Sequence, residues 1–146
     1  MAIKAKIQVA AQPQKIFDVL SDVANHGTWA NQKAGLAVKP VSGGPTAVGS
    51  TFRSEQTFAG KHAAADIKVI KLDAPSTFAF EAHQEGKKPV TYTSTFVLTP
   101  ADGGTLVERT VDVNPSSFVV AIAKPAIKAD MMKALKNLKA KVESGN

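Results

Sequence analysis

The amino-acid sequence predicts an α+β domain: a curved antiparallel sheet of about six or seven strands wrapped around one long C-terminal helix, with two short helices after the first strand. Three observations carry this. Ile3, Ala5, Ile7 and Val9 alternate with Lys4, Lys6 and Gln8, which is the period of a strand with one wet face. From Ser50 onward come five strand-like runs, at about 50–58, 62–72, 77–84, 90–99 and 105–113, with only short turn-forming stretches between them. Near the C-terminus, Ile127, Met131, Leu135, Leu138 and Val142 recur at helical spacing and form one apolar stripe.

Taken in order, the first strand gives way to Pro13, which starts a helix where a missing N–H costs nothing. Ile16, Phe17, Val19 and Leu20 then place a short helix over 13–20. Ser21-Asp22 can cap a second piece running toward Trp29, either a short helix or a single turn. Residues 31–49 read as loop, with room for a strand at Leu36–Val41 and a clear turn at Ser42-Gly43-Gly44-Pro45. The later runs are separated by Ala59-Gly60, by Ala74-Pro75-Ser76, by Glu85 to Pro89 and by Pro100 to Gly104. Separators this short predict antiparallel hairpins. The apolar stretch Phe118–Ala123 is read as a lip, and Pro125 as the start of the long helix. The first strand must join the later ones, since alone it cannot bury its apolar face.

The 146 residues fit one domain, 1–146. No cysteine is present, which excludes disulfides, thiolate metal ligands and a cysteine nucleophile. The basic start lacks the unbroken apolar stretch of a signal peptide. The longest apolar run, Phe118–Ala123, is far short of the ~20 residues needed to span a bilayer. A cytoplasmic location with no membrane span is the resulting expectation. The net charge of +6 sits almost wholly between residues 124 and 141, where six lysines face only Asp130. The chain has just two arginines, Arg53 and Arg109, and no interleaved aromatics near the lysines. That pattern fits a solvated helix face and no nucleic-acid partner.

Several joints of this order resemble the helix-grip superfamily, which includes START-related lipid-binding domains, pollen-allergen-like proteins and bacterial polyketide cyclase/dehydrase-like proteins. The stretch AQPQKIFDVLSD at 11–22 followed by Trp29 is similar to that family's opening, and VGSTF at 48–52 to its Gly-started strand. Leu72 to Pro75 before Phe78 and Phe80 resembles an inter-strand turn, and Leu98-Thr99-Pro100 with Gly103-Gly104-Thr105 the last hairpin. Leu135, Leu138 and Lys139 with Val142-Glu143 resemble the closing helix. Arg109 stands where some relatives carry a tryptophan. The resemblance implies a helix-grip fold of the polyketide cyclase/dehydrase-like branch, with a cavity between sheet and long helix.

Within that frame the candidate cavity residues are Trp29, Phe52, Phe58, Phe78, Phe80, Tyr92, Phe96, Arg109, Phe118 and Met131. Each phenylalanine is either ordinary core or cavity wall. Trp29 either plugs the sheet end or lines a pocket mouth, and its N–H needs a partner in both cases. Arg109 shares a strand face with Val107, Val111 and Val113. It either snorkels to an edge or is buried and paired, with Glu55, Glu81 and Glu108 as partners. Buried in the pocket, it could bind a ligand carboxylate or enolate. His26, His62 and His83 match no metal spacing and default to the surface, with His62 and His83 the one pair that could face the cavity. No nucleophile elbow, phosphate loop or dinucleotide fingerprint is present, so no catalytic residue, metal or cofactor is implied. The functional expectation is reversible binding of a small apolar or amphipathic molecule, lipid or polyketide-like. Its rivals are a cyclase or dehydratase working by proton transfer and a protein-interaction module using the Phe118–Ala123 lip. Oligomeric state is left open.

Overall fold

The computed structural model describes residues 2–58, 60–86, 89–114 and 118–144, without the side chains of Phe58 and residues 118–120. Seven strands form one antiparallel sheet. They are β1 (Ala2–Val9), β2 (Ala37–Pro40), β3 (Thr51–Phe58), β4 (Lys61–Asp73), β5 (Thr77–Gln84), β6 (Val90–Ala101) and β7 (Gly104–Asn114). Their order across the sheet is β1-β7-β6-β5-β4-β3-β2, so hairpins build the sheet from β2 to β7 and β1 closes its far edge. There Ile3 lies opposite Val111 and Ile7 opposite Val107, which buries the apolar face the first strand could not bury alone.

Between β1 and β2 run the helix α1 (Pro13–Ser21) and two 3-10 turns, Val23–Thr28 and Gln32–Ala34. Ile16, Phe17 and Leu20 of α1 are buried against the sheet end, with the Phe17 ring edge-on to Phe78. The expected second helix is thus a single 3-10 stretch. Neither Ser21 nor Asp22 caps it: Ser21 Oγ donates back to the Asp18 carbonyl, and the Asp22 carboxylate accepts instead from the Asn25 side chain. The last hairpin is tighter than its five-residue separator suggested. Ala101 pairs with Gly104, leaving a two-residue turn in which Asp102 and Gly103 take φ of 49° and 77°. Positive φ at both positions is what a twisted hairpin requires.

The long helix, α2, spans Phe118–Glu143. It begins before Pro125 rather than at it, which corrects the expected start; the ring lies inside the helix and removes only one backbone donor. Its C-terminal half is seated, with Met131, Leu135, Leu138 and Val142 buried and the Glu143 carboxylate accepting from the Ala10 N–H at 2.8 Å. That N–H, and Lys139 beside it, hold the Glu143 carboxyl below the usual range. Residues 121–130 are by contrast mostly exposed, Ile122 at 65%. Among the described residues no helix is long and apolar enough to cross a membrane.

On the convex face one ionic cluster ties three strands together. The Arg53 guanidinium meets both carboxylate oxygens of Glu85 at 2.7 and 2.8 Å and Asp66 at 2.9 Å. This lowers the pKa of Glu85 and raises that of Arg53.

Candidate ligand-binding site

Where the first half of α2 stands off the sheet, a cleft of about 650 Å³ opens. That volume lies within the roughly 300–1,000 Å³ typical of small-molecule pockets. Its sheet wall is Ala63, Tyr92, Val111 and Val113, and its helix wall is Ile127, Met131 and Ala134. Asn137 reaches across the end of the cleft, its amide donating to the Trp29 carbonyl and to Gln32, both at 3.2 Å. Behind the cleft, a second chamber of about 60 Å³ lies against His26, Trp29, Ser54 and Phe80. A water needs about 10–15 Å³ of such space, so this inner chamber has room for a few waters or a small polar group. Tyr92 and Arg109 line both spaces, and the two are neighbours through them.

The inner chamber is built by a tight local approach. A Cβ on Gly27 would come within 2.2 Å of the Leu36 carbonyl oxygen, so only glycine lets the first 3-10 turn lie this close to the start of β2. The two residues beside that contact, His26 and Trp29, turn inward and are nearly inaccessible. His26 packs among aromatic rings, with centroids 5.0 Å from Trp29 and 5.9 Å from Phe80. Its Nε2 lies 2.7 Å from the Leu20 carbonyl oxygen. A carbonyl only accepts, so Nε2 carries the hydrogen and Nδ1 is left as a lone pair. Burial pushes the His26 pKa down to about 4, and Arg109 contributes in the same direction. The Leu20 bond and Asp22 oppose without prevailing, so His26 is neutral at pH 7.

Arg109 leans along β7 rather than snorkelling to an edge. Its Nε donates to Ser94 Oγ at 2.9 Å, and the guanidinium lies 5.0 Å from the Phe96 ring centroid. Burial lowers its pKa, and the nearby Tyr92 only partly offsets this. An arginine remains cationic all the same. No carboxylate among the described residues pairs with it. The expected partners lie elsewhere: Glu55 is 3.7 Å from His62, Glu81 is 2.6 Å from His83, and Glu108 is exposed on the other face of β7. Parity explains this, since successive side chains of a strand point to opposite faces. Tyr92, its own pKa raised by burial, keeps its hydroxyl proton and has no hydrogen-bond partner among the described residues. The Trp29 Nε1–H is buried and likewise lacks an acceptor there.

Of the ten candidate residues, Trp29 and Phe80 thus line the inner chamber, Met131 the outer cleft, and Tyr92 and Arg109 both. Phe52, Phe78 and Phe96 line neither: they are buried in packed core, Phe78 and Phe96 directly opposite each other with rings 6.3 Å apart. The side chains of Phe58 and Phe118 lie outside the described residues. His62 and His83 are exposed and do not form a cavity pair, while His26 is buried rather than on the surface. Among the described residues no cluster of three or more His, Asp or Glu could hold a metal. The polar residues missed in the sequence are His26, Ser94, Ser54, Gln56, Gln84 and Asn137. For His26 a signal existed: Val23, His26 and Trp29 recur every third residue, the period of the 3-10 turn they form.

Comparison with known proteins follows the geometry. The sequence model of a family described as polyketide cyclase / dehydrase and lipid transport matches residues 1–143. A solved structure of a Mesorhizobium loti protein superposes with a TM-score of 0.77 at 15% identity, covering 100% of this chain and 99% of that one. A Chromobacterium violaceum protein gives 0.76 at 18% identity, covering 97% of each chain. The major latex-like protein 151 of Panax ginseng gives 0.71 at 9% identity, covering 97% of this chain and 96% of its own. At such identities the likeness establishes the helix-grip fold. No curated protein matches the sequence.

Proposed function

The chain belongs to the polyketide cyclase/dehydrase and lipid transport family, and on that premise we propose that it reversibly holds one small apolar or amphipathic molecule, lipid or polyketide-like, between the sheet and α2. The observation that carries this is the cleft of about 650 Å³, with apolar residues on both its sheet wall and its helix wall and polar residues at its mouth and inner end. Of the candidate residues, Tyr92 and Met131 would touch the body of such a ligand, with Trp29, Phe80 and Arg109 at its inner end. The test is a titration with the neutral dye Nile red, joined to native mass spectrometry of protein purified from its own host. Saturable binding near one dye per chain, or a co-purified small molecule of matching stoichiometry, is the expected result. Failure of both would overturn the reading.

A second reading, a cyclase or dehydratase working by proton transfer, has one specific observation in its favour. The His26 Nδ1 lone pair and the Arg109 cation belong to the same chamber, with no carboxylate on its walls. His26 would accept a proton next to a ligand carbonyl while Arg109 or Tyr92 held the oxyanion. Protein-catalysed deuterium exchange at such a carbon, abolished in His26→Phe, would favour it. Nucleic acid stands outside both readings: no submicromolar, steeply salt-dependent complex with duplex DNA is expected near physiological ionic strength.

A further inference from the structure

Two places in the cavity carry positive charge, and they would orient a ligand in opposite ways. At the mouth, Lys133 is in contact with Lys33, and that contact lowers the Lys133 pKa. At the inner end stands Arg109. The lysines are solvated and have Asp130 beside them, so water and a counter-charge already satisfy them. Arg109 has neither. Its guanidinium has one neutral hydrogen bond, to Ser94, and one ring face, Phe96. Among the described residues no Asp or Glu lines the inner chamber. A partly desolvated cation without a counter-ion is costly for a fold to contain.

Beside Arg109 stands a second donor with no acceptor among the described residues, the Tyr92 hydroxyl, and both residues line the region that the two spaces share. Two donors, one of them charged, thus border the inner end of the cleft. We propose that the ligand is an organic carboxylic acid that enters acid-first, its carboxylate on Arg109 in the inner chamber and its apolar body lying back along the cleft between β6, β7 and α2. This rests on the ligand-holding reading and adds the chemical class and the direction of insertion. The body then meets Val111, Val113, Ile127 and Met131, all apolar, while the lysines at the mouth stay hydrated.

The experiment compares dodecanoate with 1-dodecanol, which share a chain and differ in the headgroup, by displacement of Nile red. Dodecanoate should bind about tenfold or more tightly than the alcohol, as a charge-assisted bidentate contact with a partly buried arginine implies. The preference should vanish in Arg109→Gln and persist in the Lys33→Gln/Lys133→Gln double variant. Should Arg109→Gln not fold, the wild-type protein still answers: the chain has only two arginines, and the Arg109 Nε–H resonance should shift with dodecanoate but not with dodecanol, while that of exposed Arg53 stays put. Equal affinity for acid and alcohol, or a preference lost with the lysines instead of Arg109, would overturn acid-first binding and leave the cavity reading standing. No saturable binding of either probe or of the dye would end both.

Discussion

Two rows of residues cross the same strands four to five residues apart and behave oppositely. In one, Leu72, Phe78, Phe96 and Arg109 stand side by side from β4 to β7, and Phe17 and Trp29 close over them. In the other, Ile67, Ala82, Tyr92 and Val113 occupy the equivalent places; Ala82 is buried, but Ile67, Tyr92 and Val113, with Ala63 and Ala65 further along, border the inner chamber or the cleft. The backbone pairing is the same in both rows. Side-chain volume, together with the distance of α2 from the sheet, makes one end a core and the other a container. Arg109 sits at the boundary, its backbone in the filled row and its Nε on Ser94, one row toward the hollow one.

The sharpest way to break this contrast is to empty the filled end. Phe78→Ala should cost about 3–5 kcal/mol of stability, since its ring is wholly buried against Phe17, Phe80 and Phe96. Chemical denaturation would measure it, and a loss under about 1 kcal/mol would mean the ring is not packed as described.

Acid should find the same end through His26. Its pKa is about 4 in the folded chain against 6.5 ordinarily, so unfolding takes up a proton between those values. The His26 contribution to stability is therefore whole above about pH 6.5 and is lost as pH falls toward 4, on the order of 3 kcal/mol in all. In His26→Phe that part of the slope of stability against pH should disappear. A slope left unchanged would show that other groups carry the acid sensitivity.

Adding bulk separates the two ends at smaller cost. Phe96→Trp overpacks a closed site and should cost about 1–3 kcal/mol while leaving the cleft walls intact. Ala63→Leu adds volume where the wall faces open space and should change stability by less than about 1 kcal/mol while weakening Nile red binding several-fold. If the two substitutions lowered the thermal midpoint equally and left dye binding alone, the hollow end would be packed after all.

Most of this architecture could be read in advance, because strands and helices announce themselves by period. Every strand from β3 to β7 ends within two residues of where alternation and turn chemistry place it. The face of Arg109 was legible by parity, and parity also removes Glu108, one residue away, from its partners. Emptiness was harder. Aromatic side chains invite assignment to a wall, yet Phe78 and Phe96 fill the core, and what makes room is the small-residue run Ala63-Ala64-Ala65 on β4. A void is a property of what is missing on facing elements, so it depends on how far α2 stands from the sheet. No single-chain pattern encodes that distance.

The ionic cluster on the convex face has a consequence for the container. Ordinary strands are held in place by what packs beneath them, as Phe52, Val69 and Phe80 do for β3, β4 and β5, but near Gln56, Ala63 and Gln84 the same three strands border the hollow. Arg53, joined to Glu85 by two bonds and to Asp66 by a third, fastens them from outside instead. Exposed pairs of this kind are screened by salt. The wall of the vessel therefore has a stiffness set by the surrounding electrolyte: ligand escape should quicken as ionic strength rises, and in Arg53→Met it should be fast at every salt concentration.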